Sequence, residues 1–301
     1  MPNPDPGKTF QAALFYQAAC TLGEGPFWFQ DRLWWVDIEE GYLHTVDGEG
    51  KDIQSHRMGG RIGSCAPIDD DHFVVALQQG IGVWSRQTGA IKILASPESD
   101  LPNSRFNEGK CDPRGRFLAG TLNMAGKEKS SALYSLGGDA SLKKLVAPVS
   151  ISNGLAWSRD GRTLYYIDTP TCEVAAFAYD LETGSVGDKR VVIQVPAEAG
   201  YPDGMDIDQQ GNLWIAHWDG WAVRCWSPVT GQCLAEIRVP CQQPTSCRFG
   251  GPHYDQLFIT SARVGLSSEN LESQPLAGSV FIGRPGTQGF PLHACGLSSS
   301  L

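Results

Sequence analysis

The 301-residue sequence predicts an all-β protein: a six-bladed β-propeller with four-stranded blades, its ring closed by N- and C-terminal strands sharing a blade. Three observations carry this expectation. First, a unit of apolar strand, polar turn and second apolar strand recurs six times. Its copies start near Gly25, Ser64, Gly109, Gly154, Gly204 and Ser246, at spacings of 39, 45, 45, 50 and 42 residues. That period is the ~40–50 residues of a propeller blade, whereas leucine-rich or ankyrin arrays need shorter, partly helical repeats. Second, 35 Gly and 19 Pro beside nine Trp, with 19% charged residues, favour many turns and large aromatics on short strands. Third, a strand at 10–18 precedes the first unit and one at 278–283 follows the start of the sixth. Pairing them leaves no long free edge.

Each unit reads the same way. Second strands fall at 33–38, 73–77, 117–121, 164–168, 213–217 and 257–260, as apolar, β-branched or aromatic runs after turn residues. Third strands follow at 82–85, 132–136, 174–179 and 222–226. The Thr-Gly pairs at 88–89, 183–184 and 230–231 then turn the chain into fourth strands such as 235–239. Stretches 97–104, 125–130 and 264–276 read as surface insertions. No linker divides the chain, so one domain is expected over 1–301, with 1–9 and 292–301 as mobile ends that have little to hold them.

The formal net charge of −9 argues against a nucleic-acid partner, whose phosphates need a basic face. No stretch reaches the roughly 18–20 apolar residues of a membrane helix. The start, MPNPDPGKTFQAALFYQAAC, lacks the basic region and apolar run of a signal peptide. Nine cysteines, without CxxC or zinc spacing, then read as buried free thiols in a reduced, cytoplasmic protein, either monomeric or weakly self-associating, with a secreted protein of four disulfides as the alternative.

In a propeller the residues just before the innermost strands face one another at one mouth of the central channel. Here these are Glu24, Gly63, Glu108, Asn153, Asp203 and Thr245. Three carboxylates and an amide crowded there repel one another unless a cation joins them. All-oxygen donors suit a hard divalent ion, Ca²⁺, Mg²⁺ or Mn²⁺, with Zn²⁺ and Fe(II) as further candidates. Alone, Asn-Gly or Asp-Gly marks a turn. The argument for a site is that these pairs stand at equivalent positions of repeated units.

The segments LGEGP…WWVDI, RFNEGKCDPRGRFLAGT, SNGLAWSRDGRTLYYIDT, DGMDIDQQGNLWIA and TSCRFGG closely resemble the senescence-marker-protein/gluconolactonase (regucalcin-like) family. The likeness runs from about residue 23 to about 285. It implies a six-bladed propeller that hydrolyses sugar lactones with one divalent ion. The metal ligands it implies are Glu24, Asn153 and Asp203, and the sugar-binding residues are Arg105 and Asn107. A Glu that animal members place in the next loop falls on Ala125, so that contact is missing and the preferred sugar is open. The implied chemistry gives the ion the carbonyl and the developing oxyanion, and gives Asp203 the proton of the attacking water. Glu108 and His217 are further candidates, His217 as a proton acceptor, a substrate contact or a ring stacked beside Trp218. Asp37 and Asp168 read as carboxylates binding backbone. No GxSxG elbow or triad is present. The rival functions are an organophosphate or other ester hydrolase on this scaffold, and a non-enzymatic calcium-binding protein.

Overall fold

The computed structural model describes residues 7–298. Its strands form six sheets around one axis, each an antiparallel meander that starts at the centre and ends at the rim. Blade 1 is Gly23–Phe29, Arg32–Asp37, Tyr42–Asp47 and Gln54–Arg57. Blade 2 is Ile62–Pro67, His72–Leu77, Gly80–Ser85 and Ile91–Ala95. Blade 3 is Ser104–Cys111, Phe117–Asn123, Ser131–Leu136 and Leu142–Val149. Blade 4 is Ser152–Trp157, Thr163–Asp168, Glu173–Asp180 and Ser185–Gln194. Blade 5 begins with Tyr201–Ile207, Leu213–Trp218, Ala222–Trp226 and Cys233–Arg238. Blade 6 takes Pro244–Gly250, Gln256–Ser261 and Val280–Gly283 from one end of the chain and Ala13–Tyr16 from the other. The closure is thus antiparallel, Leu14 opposite Phe281 and Tyr16 opposite Val280.

The strand expected over 10–18 divides in two. Thr9–Gln11 runs parallel to Cys233–Arg238 as a fifth strand on blade 5, and only Ala13–Tyr16 completes blade 6. Ala12 makes the step, donating its amide to Arg238 O at 2.9 Å. The N-terminal segment therefore covers the free edges of two blades.

Inner and second strands are buried on both faces because blades pack face to face, which explains their near-continuous apolar runs. Trp34, Trp35, Phe73 and Phe117 are fully enclosed. The Trp34 and Phe73 rings meet at 4.9 Å across the seam between blades 1 and 2. The insertion at 264–276 holds one short helix, Ser268–Ser273, capped by the Ser267 hydroxyl, which accepts from Asn270 N at 3.1 Å. Among the described residues no helix is long and apolar enough to cross a membrane.

The weak anchorage expected at the ends is corrected for the described parts. Lys8 O accepts from Glu236 N at 2.8 Å. Residues 284–298 strap the face opposite the mouth. Gln209 N donates to Gln288 O at 2.8 Å, Cys295 N to Pro67 O at 2.7 Å and Gly296 N to Gly115 O at 2.8 Å. Cys295 and Leu297 are buried there against blades 2 and 3. The strap has no strand pattern because its backbone bonds are scattered over several blades. Residues 1–6 and 299–301 of those ends lie outside the described residues.

Candidate active site

The acidic or amide residue before each glycine does not open a turn. It sits in a β-bulge inside the innermost strand or, for Glu24, as the last paired residue before one. All six inner strands break register at this level, between Glu24 and Phe27, Ile62 and Ser64, Phe106 and Gly109, Ser152 and Leu155, Pro202 and Met205, and Pro244 and Cys247. A bulge leaves residues unpaired and re-aims their side chains, here toward the axis. The glycine that follows lets neighbouring blades close in. A Cβ on Gly204 would lie 2.1 Å from Ser246 Oγ, and one on Gly154 would lie 2.8 Å from Asp203 O.

At the mouth the bulges bring Glu24, Asn153 and Asp203 into the floor of a cavity of ≈ 440 Å³, with Arg105 and Asn107 in its wall. All five are buried. Asn153 is oriented by a relay. Its Nδ2 donates to Thr169 Oγ1 at 3.0 Å, and Thr169 donates in turn to Pro202 O at 2.8 Å. Because the threonine proton is committed to Pro202, its oxygen accepts, and the amide oxygen of Asn153 is left free. That Oδ1 and Asp203 Oδ1 are buried without a partner among the described residues. Among the described residues Glu24 Oε2 accepts only its neighbour's amide, Gly25 N, at 2.8 Å.

Burial dominates the electrostatics. It raises the Glu24 carboxyl to about 8, with the Glu108 charge adding to the rise and Gly25 N–H and Arg105 opposing it. Asp203 is held well above the carboxylate range by burial and then by Glu24 and Glu108. Glu108 is raised chiefly by burial, against the pull of Lys110 and Arg248. Buried carboxylates of this kind cannot ionise together without a counter-cation. Orphaned oxygens from an amide and a carboxylate beside Glu24 are a donor set that fits a hard divalent ion.

Arg105 Nη1 donates to Asn107 Oδ1 at 2.8 Å and Phe106 O at 3.0 Å, while Asn107 Nδ2 donates to Ser152 O at 2.9 Å. The rest of the cavity is built largely from Leu22, Leu122, Ile151, Trp218 and Val264, with Glu39 the further carboxylate. Asp37 and Asp168 do bind backbone. Asp37 accepts from Thr21 N at 2.9 Å and Leu22 N at 3.1 Å, and Asp168 accepts from Ile151 N at 2.9 Å. Each pins the chain two or three residues before a mouth residue, Glu24 or Asn153.

Four expected participants stand elsewhere. Glu108 shares the blade 3 bulge with Asn107 but lines a separate small cavity farther down the channel, with Lys110, Arg248 and His293. Blade 3 presents Asn107 at the mouth instead. Thr245 turns its hydroxyl to Gly23 O at 2.6 Å, and Gly63 has no side chain to offer. His217 is fully buried within blade 5, its Nε2 accepting from Trp226 Nε1 at 3.2 Å. Burial holds it well below the ordinary histidine range, as a neutral ring. It does not line the cavity, which corrects its reading as a substrate contact or proton acceptor. Ala125, too, is exposed in a turn away from the cavity. Thr169 and Glu39 were missed by sequence reasoning; the one signal for Thr169 was its place directly after the strand-end Asp168.

Among the described residues, one His/Cys/Asp/Glu group, Cys20, Asp37 and His44, brings three ligand atoms within 4.8 Å and could coordinate a metal. Its parts already have protein partners. Asp37 binds backbone amides, Cys20 Sγ accepts from Trp35 Nε1 at 3.4 Å, and His44 Nδ1 bonds Ser55 Oγ at 2.8 Å. Burial pushes the Cys20 thiol up to about 12, away from the thiolate a metal needs. The axial group has the unsatisfied oxygens and this one does not.

A family model described as SMP-30/Gluconolactonase/LRE-like region matches residues 22–263. A Bacillus subtilis protein provisionally named a sugar lactone lactonase is 36% identical over 281 residues, covering 93% of this chain and 96% of that one. Human regucalcin is 37% identical over 269 residues, 87% of this chain and 90% of its own. A crystal structure of a calcium-binding regucalcin from Agrobacterium tumefaciens superposes with a TM-score of 0.91 at 28% identity, covering 95% of this chain and 98% of that one.

Proposed function

The chain belongs to the SMP-30/gluconolactonase/LRE-like family, and from that premise we propose that it is a metal-dependent lactonase, opening a sugar 1,4- or 1,5-lactone to its aldonic acid. The observation that carries this reading is the pair of buried, unpartnered oxygens, Asn153 Oδ1 and Asp203 Oδ1, beside Glu24 on the floor of a ligand-sized cavity.

Glu24, Asn153 and Asp203 would hold one divalent ion: Ca²⁺, Mg²⁺ or Mn²⁺ by their all-oxygen chemistry, with Zn²⁺ and Fe(II) as further candidates. Such an ion supplies Lewis-acid polarisation of the lactone carbonyl and relief of charge on its oxygen. Arg105 and Asn107 are locked to one another and to the backbone, so they can orient sugar hydroxyls with little rotamer entropy left to lose. Asp203 would take the proton of the attacking water, its buried Oδ1 having no protein partner among the described residues. As the ester C–O bond breaks, the same carboxyl can return a proton to the leaving ring oxygen, so that lactone and water become hydroxy acid. The apolar walls turn bulk water away from this exchange.

The test is hydrolysis of a panel of pentono- and hexonolactones, followed with a pH indicator, by wild type and Asp203→Ala. Turnover that the substitution abolishes supports the reading, and no turnover on any member sinks it. The apolar walls favour one other reading, an ester or organophosphate hydrolase, so a phosphate triester belongs in the same panel.

A further inference from the structure

Glu39 is the cavity's one carboxylate outside the axial cluster. It lies in the link between the second and third strands of blade 1, and the mechanism above gives it no part. Arg61, whose Nη1 donates to Gln78 Oε1 at 3.3 Å, donates Nε to Glu39 Oε2 at 2.8 Å. That contact fixes one carboxylate oxygen and leaves the other. Glu39 Oε1 stands 3.9 Å from Arg105 Nε, beyond hydrogen-bond reach. Arg105 has committed Nη1 to Phe106 and Asn107, and its Nη2 has no partner among the described residues. An acceptor and a donor thus face each other in one wall, each held by a neighbour and joined to each other only as an ion pair, without a hydrogen bond.

A hydroxyl is the small group that completes such a pair. It donates to the carboxylate and accepts from the guanidinium, whereas a carbonyl or ether oxygen only accepts and an ammonium only donates. We infer that Glu39 and Arg105 form a hydroxyl subsite, with Arg61 holding Glu39 in place, so that the substrates are lactones hydroxylated on the edge that meets this wall. The remaining walls are largely apolar, Leu22, Leu122, Ile151, Trp218 and Val264, with the Tyr201 and Thr169 side chains as further polar groups but no second carboxylate–guanidinium pair. Selectivity is therefore one-sided: a hydroxyl is demanded at one edge and an apolar ring face is accepted opposite. The inference rests on the lactone reading for the identity of the ring but not for the subsite itself.

The experiment compares wild type, Glu39→Gln and Glu39→Ala, all metal-loaded, on a pentonolactone and on unsubstituted δ-valerolactone. Hydrogen bonds to charged groups predict a roughly 10- to 100-fold loss of kcat/KM on the pentonolactone for Glu39→Ala. Most of it is expected in KM, with a smaller loss for Glu39→Gln and under about threefold on valerolactone. Equal losses on the two lactones, or none on the pentonolactone, overturn the inference. If wild type hydrolyses no lactone, ligand-observed NMR with D-xylose against tetrahydropyran decides instead. A xylose contact signal that Glu39→Ala loses sustains the subsite while the lactonase reading fails. Signals that are equal in the two proteins, or absent from wild type, overturn the subsite.

Discussion

Glu24→Gln should stabilise the metal-free protein at neutral and alkaline pH, although it removes a candidate metal ligand. Burial and the Glu108 charge raise the Glu24 carboxyl from 4.5 to about 8 in the folded state. Between those two values the folded chain keeps a proton that the unfolded chain has released. Stability therefore falls as pH rises through that window and levels off above pH 8. A rise of that size corresponds to roughly 5 kcal/mol, all of it charge held without a cation. The raised Asp203 carboxyl has the same sign and steepens the fall. In Glu24→Gln that share of the loss disappears, while the acceptor for Gly25 N is kept as an amide oxygen. At roughly 1–3 °C per kcal/mol for a chain of this size, the variant should unfold several degrees above wild type at pH 8 in EDTA. At pH 4.5 the two should coincide. Added metal should raise the wild-type Tm at pH 8 by more than the variant's, which keeps an amide oxygen for the ion but has lost the charge. The assay is thermal unfolding from pH 4.5 to 9 in a chelator and again with saturating Ca²⁺ or Mn²⁺. A wild-type Tm flat with pH in the chelator, or a variant less stable than wild type at pH 8, would refute the reasoning that ties these carboxylates to a missing cation.

Other outcomes follow from the same contacts. Asp203→Asn keeps an oxygen for the ion but removes the base, so kcat should fall about 10²–10⁴-fold in steady-state assays while metal is still retained in equilibrium dialysis. Thr169→Val breaks the relay that aims Asn153, and metal affinity by calorimetry should weaken about 10- to 100-fold with the fold intact by circular dichroism. Gly204→Ala drives a methyl into Ser246 at the blade 5–blade 6 contact and should cost about 1–3 kcal/mol or more in urea unfolding. His217→Phe should lower the melting temperature by removing the acceptor for Trp226, yet leave the pH profile of kcat/KM where it was, because the neutral ring takes no part in proton transfer.

The ring was legible in the sequence because each blade must bury both faces of its inner strands, and that writes the same apolar run and turn six times. The three mouth residues that the family resemblance proposes as ligands carry a related mark in the sequence. Asn153 and Asp203 precede glycines where a Cβ would strike the next blade, and Glu24 precedes one held at a φ of +54°, so each residue stands beside a mark the backbone requires. Counting by that rule alone fails in blade 3, where the bulge holds two residues, Asn107 and Glu108. Register, which a linear pattern does not encode, decides that Asn107 meets the mouth. Orientation was equally hidden at His217: its strand-end position matches Asp37 and Asp168, but an imidazole is large enough to reach Trp226 and be sealed in. Glu39 left no motif because its role depends on Arg61 and Arg105, 22 and 66 positions away along the chain. The split of the N-terminal strand followed from two exposed blade edges, which exist only once the ring has closed.

Glu24, Asn153 and Asp203 are proposed to hold one ion on which lactone hydrolysis depends. Chelator-stripped protein titrated with Mn²⁺, with bound metal and pentonolactone turnover measured in the same samples, tests it most directly. Turnover should start near zero, rise in proportion to occupancy and stop rising at one ion per chain, and Asn153→Ala should depress both together. Turnover already complete in the stripped protein, or metal bound at one per chain with no gain in turnover on any lactone, would contradict the claim.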